Sequence, residues 1–236
     1  MNLPHTIPEG LLQTQRRIHA AEAAAGRPVG QVRLIAVSKT RPAEAVMAAR
    51  EVGQREFGEN YLQEALEKQR QLAQFDLVWH FIGPIQSNKT RALAECFDWV
   101  HGVDRLKVAE RLSAQRPPGR LPLNICLQVN VSGEASKAGV SPEALGELAR
   151  QVVGLPGLRL RGLMAIPAAT PDPLQQRAAF RAVRHALESL ADISGLDTLS
   201  MGMSDDLEAA ISEGATLVRV GTAIFGPRSP RRESVA

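Results

Sequence analysis

The chain has only two cysteines, Cys96 and Cys126, far apart and without CxxC spacing. That excludes a disulfide framework and a thiolate metal cluster, and leaves each as a small apolar residue suited to a reducing compartment. Aromatic residues make up 4%, with one tyrosine, Tyr61, and no basic stripe with interleaved aromatics is present. Nucleic acid is therefore not an expected partner. Charge of one sign is scarce too: of the net +3, +2 falls in the last ten residues, "PRSPRRESVA". Residues 229–236 read as a basic flexible tail. No apolar run reaches membrane-spanning length, and "MNLPHTIPEGLL" lacks a charged stretch followed by a long apolar one. No membrane association and a cytoplasmic location are the expectations.

What remains, 236 residues with 44% apolar and 22% charged, is ordinary for a soluble domain with a sizeable core. Leu11 to Ala25 reads as a helix stopped by Gly26. Short β-rich runs then alternate with helical stretches: "VRLIAVS", "EFGE", "LVWHFIG", "DWVHGV", "NICLQVNV", "LRLRGLMAI", "TLSMG" and "TLVRVG". Helices are expected after Pro42, from Asn60 as N-cap to about Leu72, from about Lys89, from Asp104 to about Ala114, from Ser141-Pro142, around Phe180 to Leu190 and over Leu207 to Glu213. Eight strands with intervening helices predict a parallel sheet with right-handed crossovers. Over about this length they predict a single (β/α)8 TIM barrel occupying residues 1–228, with an N-terminal helix, and an open doubly wound sheet as the alternative.

In such a barrel the chemistry lies at the carboxyl ends of the strands, where the first strand finishes on Lys39. Closure sets the last strand beside the first. It ends "RVGTAIFG": Gly221 allows close backbone approach, Thr222 offers a hydroxyl, and a short helix follows. Helix amino ends bind anions, and the loops after strands seven and eight recurrently hold phosphate in this fold. In the loop after strand seven, "SMGMSDD", Ser204 is expected to begin a helix, with Asp205 and Asp206 repelling an anion unless they point away. A phosphate at one end and a carbonyl within reach of the lysine fit pyridoxal 5′-phosphate, since a desolvated neutral amine condenses with a carbonyl. A sugar-phosphate aldolase satisfies the same logic. Arg219, inside the apolar "LVRV", needs a partner; it pairs with a carboxylate or faces the cofactor's ring nitrogen, where a fixed guanidinium disfavours protonation.

The stretches "AVSKT", "FGENYLQE", "WHFIGPIQSNK", "LQVNVSGEASKAGV", "GLMAIP", "LSMGMSDDLEAAI" and "VRVGTAIFGPR" together resemble the YggS/PROSC family, the pyridoxal phosphate homeostasis proteins, over about Leu11 to Arg228. The resemblance implies the barrel of the alanine racemase N-terminal domain, fold type III among proteins of this cofactor. It implies an internal aldimine on Lys39, phosphate held by Ser204, Gly221 and Thr222, and Arg219 at the pyridine nitrogen. Asn60 and Met201 would line the pocket. Arg41 stands where many relatives have a lysine, and Gly102 replaces a small polar residue. His80 reads as a core histidine, Lys89 and Lys137 as solvated lysines.

Racemisation needs two acid/base groups on opposite faces of the α-carbon. The racemases take the second, a tyrosine, from a following β domain, whereas this sequence stops soon after strand eight, and Tyr61 reads as packing at a helix start. The expectation is a non-catalytic protein that holds, buffers or hands on pyridoxal phosphate in vitamin B6 homeostasis, with cofactor-dependent apoenzymes as recipients. A low-activity amino-acid racemase or related enzyme of the same fold type is the alternative. A complete barrel needs no partner to close its core, so a monomer is expected.

Overall fold

The computed structural model describes residues 6–134 and 138–227; Lys137 and the tail over 229–236 lie outside them. The chain opens with helix α1 (Ile7–Ala24) and then alternates strand and helix. The strands are β1 (Arg33–Val37), β2 (Glu56–Glu59), β3 (Val78–Phe81), β4 (Trp99–Val103), β5 (Leu123–Gln128), β6 (Leu158–Met164), β7 (Thr198–Ser200) and β8 (Leu217–Val220). The helices between them are α2 (Ala43–Glu51), α3 (Leu62–Gln71), α4 (Thr90–Cys96), α5 (Leu106–Gln115), α6 (Pro142–Val153), α7 (Pro173–Glu188) and α8 (Leu207–Ser212), with the single turn α9 (Thr222–Phe225) after β8. The strands pair in chain order as a closed parallel barrel, as the alternation predicts, and β1 meets β8 in the register Ile35 to Arg219.

Local chemistry sets several boundaries differently from the sequence reading. Helix α1 starts four residues earlier than Leu11, because Thr6 and Glu9 form a capping box and a proline sits in its first turn. Its buried Glu22 accepts the amides of Gly30 (2.9 Å) and Val32 (2.6 Å), tying α1 to the approach of β1. Asn60 is not the N-cap of α3. Tyr61 takes that position without a side-chain cap bond, and Asn60 belongs to the turn beyond β2. Lys89 closes a 3₁₀ turn ahead of α4, and α5 begins two residues after Asp104. Ser204 lies in a turn, with α8 starting only at Leu207.

Outward-facing strand residues such as Leu34, Ala36, Phe57, Leu123 and Leu163 form one core with the helices. Inward-facing residues alternate with them, as the pleat requires. Barrel interiors are usually filled by Val, Ile and Leu, and Ile35, Cys126, Met164 and Leu217 do so here around Trp99. His80, His101, Ser200 and Arg219 are also buried, so a band of the interior is polar. Among the described residues no helix is long and apolar enough to cross a membrane.

Candidate functional site

A cavity of about 540 Å³ opens at the carboxyl ends of the strands. Its wall takes Lys39 from the end of β1, Asn60 from beyond β2, Ile82 from beyond β3, Ile166 from beyond β6, Met203, Ser204 and Asp205 from beyond β7, and Arg219, Gly221 and Thr222 from β8 and its end. Six of the seven residues singled out from sequence therefore meet around one space. Met201 does not line it: this side chain is fully buried in the core, and Met203, two residues on, takes the wall.

The backbone around Lys39 is held from beneath. Thr40 has φ of 64°, a left-handed conformation uncommon outside glycine, and its amide donates to Glu64 Oε1 (2.6 Å). Lys68 Nζ, buried, donates to the Ser38 carbonyl (2.6 Å), Glu59 Oε1 (2.7 Å) and Glu64 Oε1 (2.6 Å). Ser38 Oγ donates to the same Glu59 oxygen (2.6 Å). Both neighbours of Lys39 are thus fastened to one cluster of charges. Burial pushes the Glu59 carboxyl above its ordinary range, against the pull of Lys68, and its second oxygen has no hydrogen-bond partner among the described residues.

The opposite wall gathers hydroxyls and cations. A Cβ at Gly221 would stand 3.2 Å from the Val37 carbonyl, so β8 can run this close to β1 only with glycine or a shift. Thr222 then opens α9. Arg17, reaching in from α1, donates to the Ser204 carbonyl (2.9 Å) and pairs with Glu208 (2.8 Å). Sequence spacing gives no hint of Arg17, since both partners lie in a distant part of the chain. Of the two acids, Asp206 is turned back to accept the Met203 amide (2.6 Å), with burial raising its pKa, while Asp205 stays on the wall. Arg41 donates to the Gly226 and Pro227 carbonyls (2.6 and 2.7 Å), fixing the chain after α9.

Arg219 is 4% exposed. Its Nη1 donates to the Ser200 carbonyl (2.5 Å) and Oγ (2.8 Å), and Nη2 to the Ala165 carbonyl (2.9 Å). These acceptors are neutral, so the carboxylate partner foreseen as one option is not in contact. Burial brings the guanidinium down to about 10, which leaves it cationic at neutral pH. Asn60 Oδ1 is buried with no partner among the described residues. His80 is a core histidine, as read from sequence, and does not line the cavity.

Residues 12–229 match the family described as alanine racemase, N-terminal domain. A pyridoxal phosphate homeostasis protein of Pseudomonas aeruginosa is 64% identical over 94% of this chain and 96% of its own length. The protein of the same name from Escherichia coli K12 is 50% identical over 94% of this chain and 97% of its own. Among solved structures, PipY of Synechococcus elongatus PCC7942 with PLP bound is 40% identical, covers 94% of this chain and superposes with a TM-score of 0.82. Alanine racemase from Corynebacterium glutamicum shares the fold at 17% identity and a TM-score of 0.67, this chain covering 62% of it. A closed eight-stranded barrel with these relatives settles the assignment: the chain belongs to the alanine racemase N-terminal domain family, among the pyridoxal phosphate homeostasis proteins.

Proposed function

We propose that the chain binds pyridoxal 5′-phosphate on Lys39 and serves intracellular vitamin B6 homeostasis as a holder or carrier rather than as an enzyme. The observation that carries the reading is a single cavity bounded by a lysine, a buried guanidinium, two hydroxyls and an orphaned amide oxygen. That donor set fits an anionic, carbonyl-bearing heterocycle. The cofactor would supply an aldehyde carbon open to attack by an amine, and Lys39 is the residue that would hold it there covalently. Ser204, Gly221 and Thr222 hold the phosphate, with Arg17 adding positive charge behind them. Arg219 presents an N–H to the ring nitrogen, which then acts as an acceptor. The Asn60 oxygen gains a partner from the ligand.

The carrier reading rests on the names of the relatives and on the cavity wall, which among the described residues offers one amine and no tyrosine or histidine opposite it. Tyr61 is 45% exposed at the start of α3. Recipients would be apoenzymes that need this cofactor, and a monomer in the cytoplasm suffices for that task.

Purified protein incubated with pyridoxal phosphate, reduced with borohydride and digested is expected to carry the label on the peptide containing Lys39. Lys39→Ala is expected to lose it, and Thr222→Ala and Arg219→Ala to retain cofactor less well. Labelling elsewhere, or equal retention in both latter variants, overturns the site. Exchange of the α-proton of added amino acids at about 1 s⁻¹ or faster would favour the racemase-like alternative.

A further inference from the structure

The polar band inside the barrel is hydrogen-bonded from Arg219 to His80 and ends against Glu56. Arg219 Nη1 donates to Ser200 Oγ (2.8 Å), Ser200 Oγ meets His101 Nδ1 (2.8 Å), and His101 Nε2 meets His80 Nδ1 (3.0 Å). His80 Nε2 then faces Glu56 Oε2 at 3.3 Å, off the hydrogen-bond line, and neither atom has another partner among the described residues. Glu56 is the first residue of β2, at the amino end of the barrel, where its other oxygen pairs with Arg33 (3.2 Å). The chain therefore runs from the cavity wall to the opposite end of the barrel.

Donor and acceptor arithmetic fixes its direction. A guanidinium only donates and an ionised carboxylate only accepts, so with both rings neutral Ser200 Oγ receives from Arg219 and gives its own proton to His101 Nδ1. His101 then carries its proton on Nε2 and gives it to His80 Nδ1. His80 in turn carries its proton on Nε2, the nitrogen 3.3 Å from the Glu56 carboxylate. Every link points the same way, from the buried cation to the carboxylate. Both imidazoles are fully buried, and burial holds both below the ordinary histidine value, His101 the further because His80 and Arg219 lie beside it. Trp99 stacks on His80 (5.5 Å between centroids), and Arg33 and Arg161 lie over the same indole, so the rings have little freedom to turn.

We propose that Glu56, His80, His101 and Ser200 form one polarised relay that locks Arg219 as a donor toward the cavity, so that the two histidines and Glu56 are positioning residues for a ligand they do not touch. The proposal rests on the cofactor reading only for what Arg219 meets. Reversing the links would leave the Ser200 hydroxyl proton without its His101 acceptor and set a bare His80 nitrogen against the Glu56 carboxylate.

Nitrogen-15 NMR of histidine-labelled protein, without cofactor, tests the relay alone. His80 and His101 are both expected as neutral rings protonated on Nε2 near pH 7; a proton on Nδ1 of His101 overturns the proposal. Glu56→Gln tests its reach, with pyridoxal phosphate as probe. The variant is expected to shift the absorption band of bound cofactor and to weaken retention roughly three- to tenfold, a lost hydrogen bond being worth about 0.5–1.5 kcal/mol. Arg55→Gln, at the same end but outside the relay, should match wild type. A Glu56→Gln protein with the wild-type band and retention overturns the proposal. Wild type that takes up no pyridoxal phosphate, with both rings protonated on Nε2, refutes the cofactor reading and leaves the relay standing.

Discussion

Two buried polar clusters lie beneath the same cavity, and they solve the cost of buried charge differently. Under Lys39, the ammonium of Lys68 touches two carboxylates directly, within 2.7 Å. Under Arg219, the guanidinium touches only oxygens of neutral groups, and its carboxylate stands at the far end of a row of neutral groups. A contact pair compensates charge strongly but concentrates the loss when one member goes. A relay spreads compensation over several weaker links, each of which also fixes an orientation. The lysine end of the cavity is thus built to hold a backbone corner, and the arginine end to hold a donor direction.

The sharpest way to break this comparison is Lys68→Ala. It leaves Glu59 buried without its cation, and removal of one partner from a buried pair costs about 3–5 kcal/mol. A urea melt should register that loss, and the Ser38–Thr40 corner should loosen enough to weaken cofactor retention. Adding Glu59→Gln should restore part of the stability, because the two residues are coupled. A single variant as stable as wild type would mean that the cluster does not hold the corner.

The clusters also tilt the pH dependence of stability in opposite directions. The folded-state value of Glu59 is raised above 4.5, so the folded protein holds that proton more tightly than the unfolded chain. Its contribution falls as pH rises from about 4.5 through the raised value. His80 and His101 are lowered below 6.5, so the unfolded chain takes up protons that the folded protein refuses. Their contribution falls as pH drops below about 6.5, by up to about 1.4 kcal/mol per pH unit for each proton. Melts between pH 5 and 7 should show stability declining toward acid, and His101→Asn should flatten that slope. An unchanged slope in the variant would mean that His101 is not buried neutral.

The fold was legible because alternation of period-two runs and helices admits few topologies, and all eight runs became strands. The cavity wall was legible where a residue lies just past a strand, as Lys39 and Gly221 do. Asn60 misled as a cap because its type suits that role, and the real cap position passed to Tyr61. Met201 and Met203 differ by two positions just past β7, where the strand pleat no longer dictates direction. The relay left a trace in the sequence. Glu56, His80, His101, Ser200 and Arg219 each lie two residues from another inward residue of their strand, and polar residues at that period mark a polar interior. Arg17 left none, because only tertiary packing brings α1 to the cavity.

The smallest predicted effect isolates burial from spacing. Lys68 pairs with Glu64 four residues earlier on α3, and Arg91 with Glu95 four residues later on α4. The charges and the helical interval are alike, but the Arg91 and Glu95 side chains are 68% and 42% exposed and stand 3.6 Å apart. The order is also reversed: an acid ahead of a base along a helix is the better arrangement, because the base then lies toward the negative end of the helix dipole. Water screens the outer pair and side-chain entropy opposes it. Arg91→Ala should therefore cost no more than about 0.5 kcal/mol, a shift that vanishes in high salt, while the loss in Lys68→Ala persists there. Equal losses in the two variants would mean that helical spacing, rather than removal from water, gives the Lys68 cluster its strength.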